Sequence, residues 1–102
     1  MIKHIVLLEL AEHVKPNEID FFMTKLSLLK TTSIPQIKSI SHGKSCSIEA
    51  MERGYNYAFI IEFETTHDRD FYIQHEDHKK IANENILPLL KKGVNSVLVF
   101  DF

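Results

Sequence analysis

The chain predicts an α+β fold, with segments in the order β-α-β-β-α-β building an antiparallel sheet that carries both helices on one face. Three patterns predict it. Residues 55–64 set Tyr55, Tyr57, Phe59, Ile61 and Phe63 in alternation with Asn56, Ala58, Ile60, Glu62 and Glu64, the period of a strand. Ile19, Phe22, Met23, Leu26 and Leu29 fall on one helical stripe. The two ends of the chain, 2–10 and 94–102, are strand-like runs rich in Ile, Val and Leu. Right-handed crossovers then bring both helices to the same side of the sheet.

Each element has its own local reason. The first strand is apolar on both faces, with His4, Val6, Leu8 and Leu10 on one and Ile5 and Leu7 on the other. A strand of that kind needs cover on both sides. Pro16 and Asn17 open the first helix, with Asn17 as the expected N-cap and Asp20 three residues on. Thr31 to Pro35 closes it, because a residue before proline avoids the helical region. Residues 37–44 read as a more polar strand at an edge, and 43–54 as a polar loop. Thr65, Thr66 and Asp68 signal the start of the second helix, which is expected to run through His78. A further helical piece over 81–92 is interrupted by Pro88 and stopped by Gly93.

At 102 residues, 44% hydrophobic and 25% charged, the chain reads as one domain over residues 1–102 with one modest core. A net charge of -2 supplies no basic field for nucleic acid. Cys46 is the single cysteine, which rules out an intrachain disulfide and points to a reducing compartment. The apolar run at 5–8 is too short for a signal core or a membrane span. The expectation is a soluble, cytoplasmic protein with no nucleic acid or membrane partner, and no cofactor is called for.

Chemistry concentrates in residues 71–78, Phe-Tyr-Ile-Gln-His-Glu-Asp-His. On one helix, Tyr72, His75 and His78 would fan over about a third of the circumference and face one space. His4 from the first strand and Tyr57, Phe59 and Ile61 from the third share the face beneath the helices. A ligand space is therefore expected among His4, Tyr57, Tyr72, His75 and His78, walled by Val6, Leu8, Phe22, Met23, Leu26, Phe59 and Ile61. A neutral His78 would take a proton alpha to a carbonyl while Tyr72 hydrogen-bonds the developing oxyanion, with His4 in support. For Phe22 and Met23 periodicity favours a place in the core over one in the ligand wall. His75-x-x-His78 with His4 is compatible with chelation, but nothing fixes the tetrahedral geometry zinc prefers, and no metal is expected. His13, His42 and His67 are expected at the surface.

Taken in order, several segments resemble the stress-responsive α/β-barrel domain family, a branch of the dimeric α+β barrels. They are Ile2-Lys3-His4-Ile5-Val6-Leu7, Gly54-Tyr55, Tyr72-Ile73-x-His75-x-x-His78 and Ser96-Val97-Leu98-Val99-Phe100-Asp101-Phe102. The resemblance spans the chain and implies a ferredoxin-like fold whose two sheets close across a dimer. It agrees with the second apolar face of strand one, which is large for a monomer and fits a two-fold, sheet-to-sheet homodimer. A plant polyketide cyclase of this family uses a helix tyrosine and histidine, positions held here by Tyr72 and His78, with His4 in support. Glu76 stands where the family often has proline, and Tyr57 where a cyclase-like site favours histidine. Three functions remain open: a homodimeric binder of a small, mostly apolar molecule; a cofactor-free lyase or cyclase; and a structural stress protein acting through its dimer surface.

Overall fold

The computed structural model describes residues 1–102. Four strands, β1 (Ile2–Leu8), β2 (Ile37–Lys44), β3 (Tyr57–Phe63) and β4 (Val97–Asp101), form one antiparallel sheet in the order β2-β3-β1-β4. Three α-helices, α1 (Pro16–Leu28), α2 (Thr66–Gln74) and α3 (Glu76–Ile81), complete a ferredoxin-like α+β fold. The register sets Val6 opposite Phe59 on β3 and Val99 on β4, and His4 opposite Ile61 and Asp101. Those side chains all lie on the helix side, since strand neighbours share a face. On the other face Ile5 pairs with Ile60 and Phe100, and Leu7 with Ala58 and Leu98. Phe100 and Phe102 on that face are each 62% exposed.

The core sits between β3, the middle of β1 and α1. Phe22, Met23 and Leu26 are buried there against Leu8, Ile61 and Phe63, joined by Ile34 and Ile37. Each such side chain contributes roughly 1.5–3 kcal/mol through burial. Asn56, just before β3, locks the end of β1: its side-chain oxygen accepts from the Leu10 N–H at 2.8 Å and its amide donates to the Leu10 carbonyl at 3.0 Å. Gly54 (φ +92) has a left-handed backbone, and a Cβ there would meet a Glu9 carboxylate oxygen at 2.7 Å. Only glycine fits both demands.

Several boundaries differ from the sequence expectation. Lys15, not Asn17, caps α1: Pro16 takes the first helical position, and the Lys15 N–H donates to the Glu18 carboxylate at 3.0 Å. β3 begins at Tyr57, two residues later than expected. β4 begins at Val97, after a 3₁₀ turn over Gly93–Ser96. The second helix is two helices. His75 adopts an extended backbone (ψ 135), and its ring accepts from the Asp77 N–H at 3.0 Å, so it ends α2 and caps α3. Beyond α3 the chain winds as a π turn (Ala82–Ile86) and a 3₁₀ turn (Leu87–Leu89) rather than as a helix over 81–92. Pro88 has no N–H to extend an α-helical ladder through this stretch.

Candidate functional site

A cavity of about 320 Å³ lies above β1 and β4, roofed by α2, α3 and the irregular segment after them. Volumes of this order suit a small organic ligand. Of the residues expected around a ligand space, His4, Val6, Leu8, Phe59, Tyr72 and His78 line it. Phe22, Met23, Leu26, Tyr57, Ile61 and His75 do not. The first three are packed into the core by α1, and Ile61 is fully buried in it. The Tyr57 ring turns edge-on to Phe22, and its hydroxyl meets His42 Nδ1 at 2.6 Å. His42 is thus exposed at the strand edge, as expected, but not idle. His75 leaves because the chain breaks at it: its ring stacks edge-on with Phe71 while Nδ1 caps α3. His75 thus stands outside the space that His78 lines.

The break brings Tyr72 and His78 together from two different helices. Their ring centroids are 4.2 Å apart, and His4 stands edge-on to the same tyrosine at 5.8 Å. Tyr72 is 1% exposed. Burial pushes its hydroxyl far above the usual phenol range, so it stays protonated and keeps a hydrogen to donate. His78 is held below the ordinary imidazole range, mainly by burial; the Ile73 carbonyl acts upward, and His4, Lys79 and His75 add smaller downward effects. His78 Nδ1–H donates to that carbonyl at 3.2 Å. The neutral ring therefore keeps its lone pair on Nε2. A protonated phenol beside an imidazole with a free basic nitrogen can donate to an oxygen and accept a proton within one apolar space.

Sequence reasoning missed two groups of residues here. Ile73, Ala82, Asn83, Ile86, Leu87, Leu90, Val94, Val97 and Val99 also line the cavity. Among them Ile73, Leu87, Val94 and Val99 are exposed and form an apolar rim. Ile73 comes from α2 and Val97 and Val99 from β4, whereas Ala82, Asn83, Ile86, Leu87 and Val94 are placed by the π and 3₁₀ turns, which carry no repeating pattern. Asp101 and Arg69 make up the second group. His4 Nδ1–H donates to Asp101 Oδ1 at 2.8 Å, and Arg69 Nη1 donates to Asp101 Oδ2 at 2.7 Å. A histidine at the start of the first strand and an aspartate near the end of the last were the available signal, since this topology makes those strands neighbours.

A family model described as the Stress responsive A/B Barrel Domain matches residues 2–102. The chain belongs to this family. The stress-response A/B barrel domain-containing protein HS1 of Arabidopsis thaliana is 28% identical over 101 residues, covering 99% of this chain and 87% of that protein. A crystal structure of an Arabidopsis thaliana protein is 30% identical with a TM-score of 0.86, covering 100% of this chain and 93% of that one. A dimeric ferredoxin-like protein of unknown function from Thermobifida fusca is 25% identical with a TM-score of 0.74, covering 99% and 88%. The hydroxynitrile lyase of Passiflora edulis, at 18% identity, a TM-score of 0.81 and coverage of 99% and 90%, shares the fold. The A/B barrel family and its ferredoxin-like architecture, expected from the segments quoted above, are thereby shown.

Proposed function

We propose that this A/B barrel protein is a homodimer that binds a small, mostly apolar molecule bearing a carbonyl, between the sheet and α2–α3. One observation carries the reading: the apolar cavity contains Tyr72 set between His4 and His78. The apolar walls would take the hydrocarbon part and the three polar rings the oxygen. Histidine NMR during addition of aromatic and polyketide-like carbonyl compounds tests it. The expected result is that His4 and His78 shift together and that the melting temperature rises, by mass action. If no compound moves either resonance, the reading is wrong and the structural role gains.

A second reading, a cofactor-free lyase or cyclase, is favoured by the free Nε2 and depressed proton affinity of His78. His78 would act as general base and Tyr72 would stabilise the oxyanion. His78→Ala separates the two readings. It should abolish proton transfer and leave apolar binding largely intact.

Self-association is supported by the uncovered apolar face of the sheet and by structural relatives described as dimeric. Sheet-against-sheet packing would bury Ile5, Leu7, Leu98 and Phe100. The exposed Cys46 supports a reducing, cytoplasmic setting. No helix of the chain is long and apolar enough to cross a membrane.

A further inference from the structure

We propose that Asp101 holds His4 in the tautomer whose Nε2 is an acceptor, and that Arg69 is a positioning residue of the cavity, acting on His4 by orienting and sharing the Asp101 carboxylate. Three elements meet here: β1 supplies His4, β4 supplies Asp101 directly opposite it, and α2 supplies Arg69 from above. The Asp101 carboxylate is divided between them, one oxygen on His4 Nδ1 at 2.8 Å and the other on Arg69 Nη1 at 2.7 Å. Each group is mostly withdrawn from solvent, with side-chain exposures of 6% for His4, 19% for Asp101 and 22% for Arg69. Arg69 is steadied in turn by Asp70 at 2.9 Å.

The chemistry of the three side chains fixes the proton. A guanidinium only donates and an ionised carboxylate only accepts, so the neutral imidazole must carry its hydrogen on Nδ1. Nε2 then keeps its lone pair, on a residue that lines the cavity beside Tyr72. The space would present one donor, Tyr72, and one acceptor, His4, in addition to His78. That pairing suits a carbonyl compound with a hydroxyl close by, the carbonyl taking the phenol hydrogen and the hydroxyl giving its own to Nε2. This ligand role rests on the binding function proposed above; the tautomer does not.

The test reads the tautomer directly, by nitrogen-15 NMR of the imidazoles on the full chain without added ligand. It is run at about pH 9, well above the ordinary imidazole range. The expected result for the unaltered protein is His4 with its hydrogen on Nδ1. Asp101→Asn leaves one oxygen and one NH₂ in place of two oxygens. Arg69 can only donate, so the oxygen turns to the guanidinium and the NH₂ to His4, whose hydrogen moves to Nε2. Adding Arg69→Met frees the oxygen to return to His4, and the Nδ1–H form is restored. A merely structural role for Arg69 would not produce that reversal and rescue. Where Asp101→Asn does not fold, Arg69→Met alone decides. The carboxylate is then no longer shared, and the His4 Nδ1 proton resonance moves downfield. The Nε2–H form in the unaltered protein, no reversal in Asp101→Asn, no rescue in the double variant, or an unmoved proton in Arg69→Met each overturns the proposal.

Discussion

At the scale of single residues, His78 and Tyr72 differ in what burial does to them. Burial favours the neutral form of both, which leaves one a base and the other a donor. For His78 the folded value lies below the unfolded one, so between the two the unfolded chain binds the extra proton. Its share of stability is whole above about pH 6.5 and is lost as pH falls through the depressed folded value. We expect the melting temperature of the protein to fall over that window more steeply than that of His78→Gln, and parallel curves would contradict the assignment. Tyr72→Phe removes only a hydroxyl and should keep the fold. It should also weaken a carbonyl ligand by roughly 1 kcal/mol, the worth of one hydrogen bond, as read by calorimetric titration.

At the scale of elements, the decisive feature is the break between α2 and α3. His75 caps α3 with a ring nitrogen that must be unprotonated to accept. His75→Ala should therefore cost about 1 kcal/mol in denaturant unfolding, the usual worth of a helix N-cap, and His75→Asp should recover much of it. Ligand affinity should stay unchanged in both, since His75 lies outside the cavity. The strands and α1 were legible because their periods are imposed by a face that is dry. Tyr57, Phe59, Ile61 and Phe63 alternate because every second residue of β3 is buried. The break at His75 was not legible, because no proline or glycine marks it and the competing signal, an imidazole cap, is a tertiary choice of rotamer. The same holds for 82–96, where π and 3₁₀ turns place the cavity wall without a repeating pattern. Of the site, His4, Tyr72 and His78 were readable as chemistry, whereas Asp101 and Arg69 needed the strand register to become neighbours.

At the scale of the whole molecule, one face of the sheet holds the cavity and the other is bare. The proposed dimer predicts a sedimenting mass twice the 11.9 kDa of the chain at micromolar concentration. Phe100→Glu, which places a charge among Ile5, Leu7 and Leu98, should return it to a single chain; a stable monomer before substitution would end the proposal. β1 and β4 each serve both sides. Val6 and Val99 look into the cavity, while Ile5 and Phe100, their immediate neighbours in sequence, look out of the bare face. These two strands would thus be a party wall, one residue thick, between the two proposed tenants. In the proposed dimer, a guest that pressed on Val99 would tilt the backbone bearing Phe100, and the disturbance would run equally in reverse. By thermodynamic reciprocity, the factor by which an occupant tightens or loosens the pairing of chains is also the factor by which pairing alters the occupant's affinity. A titration of binding against protein concentration would then report on both rooms at once.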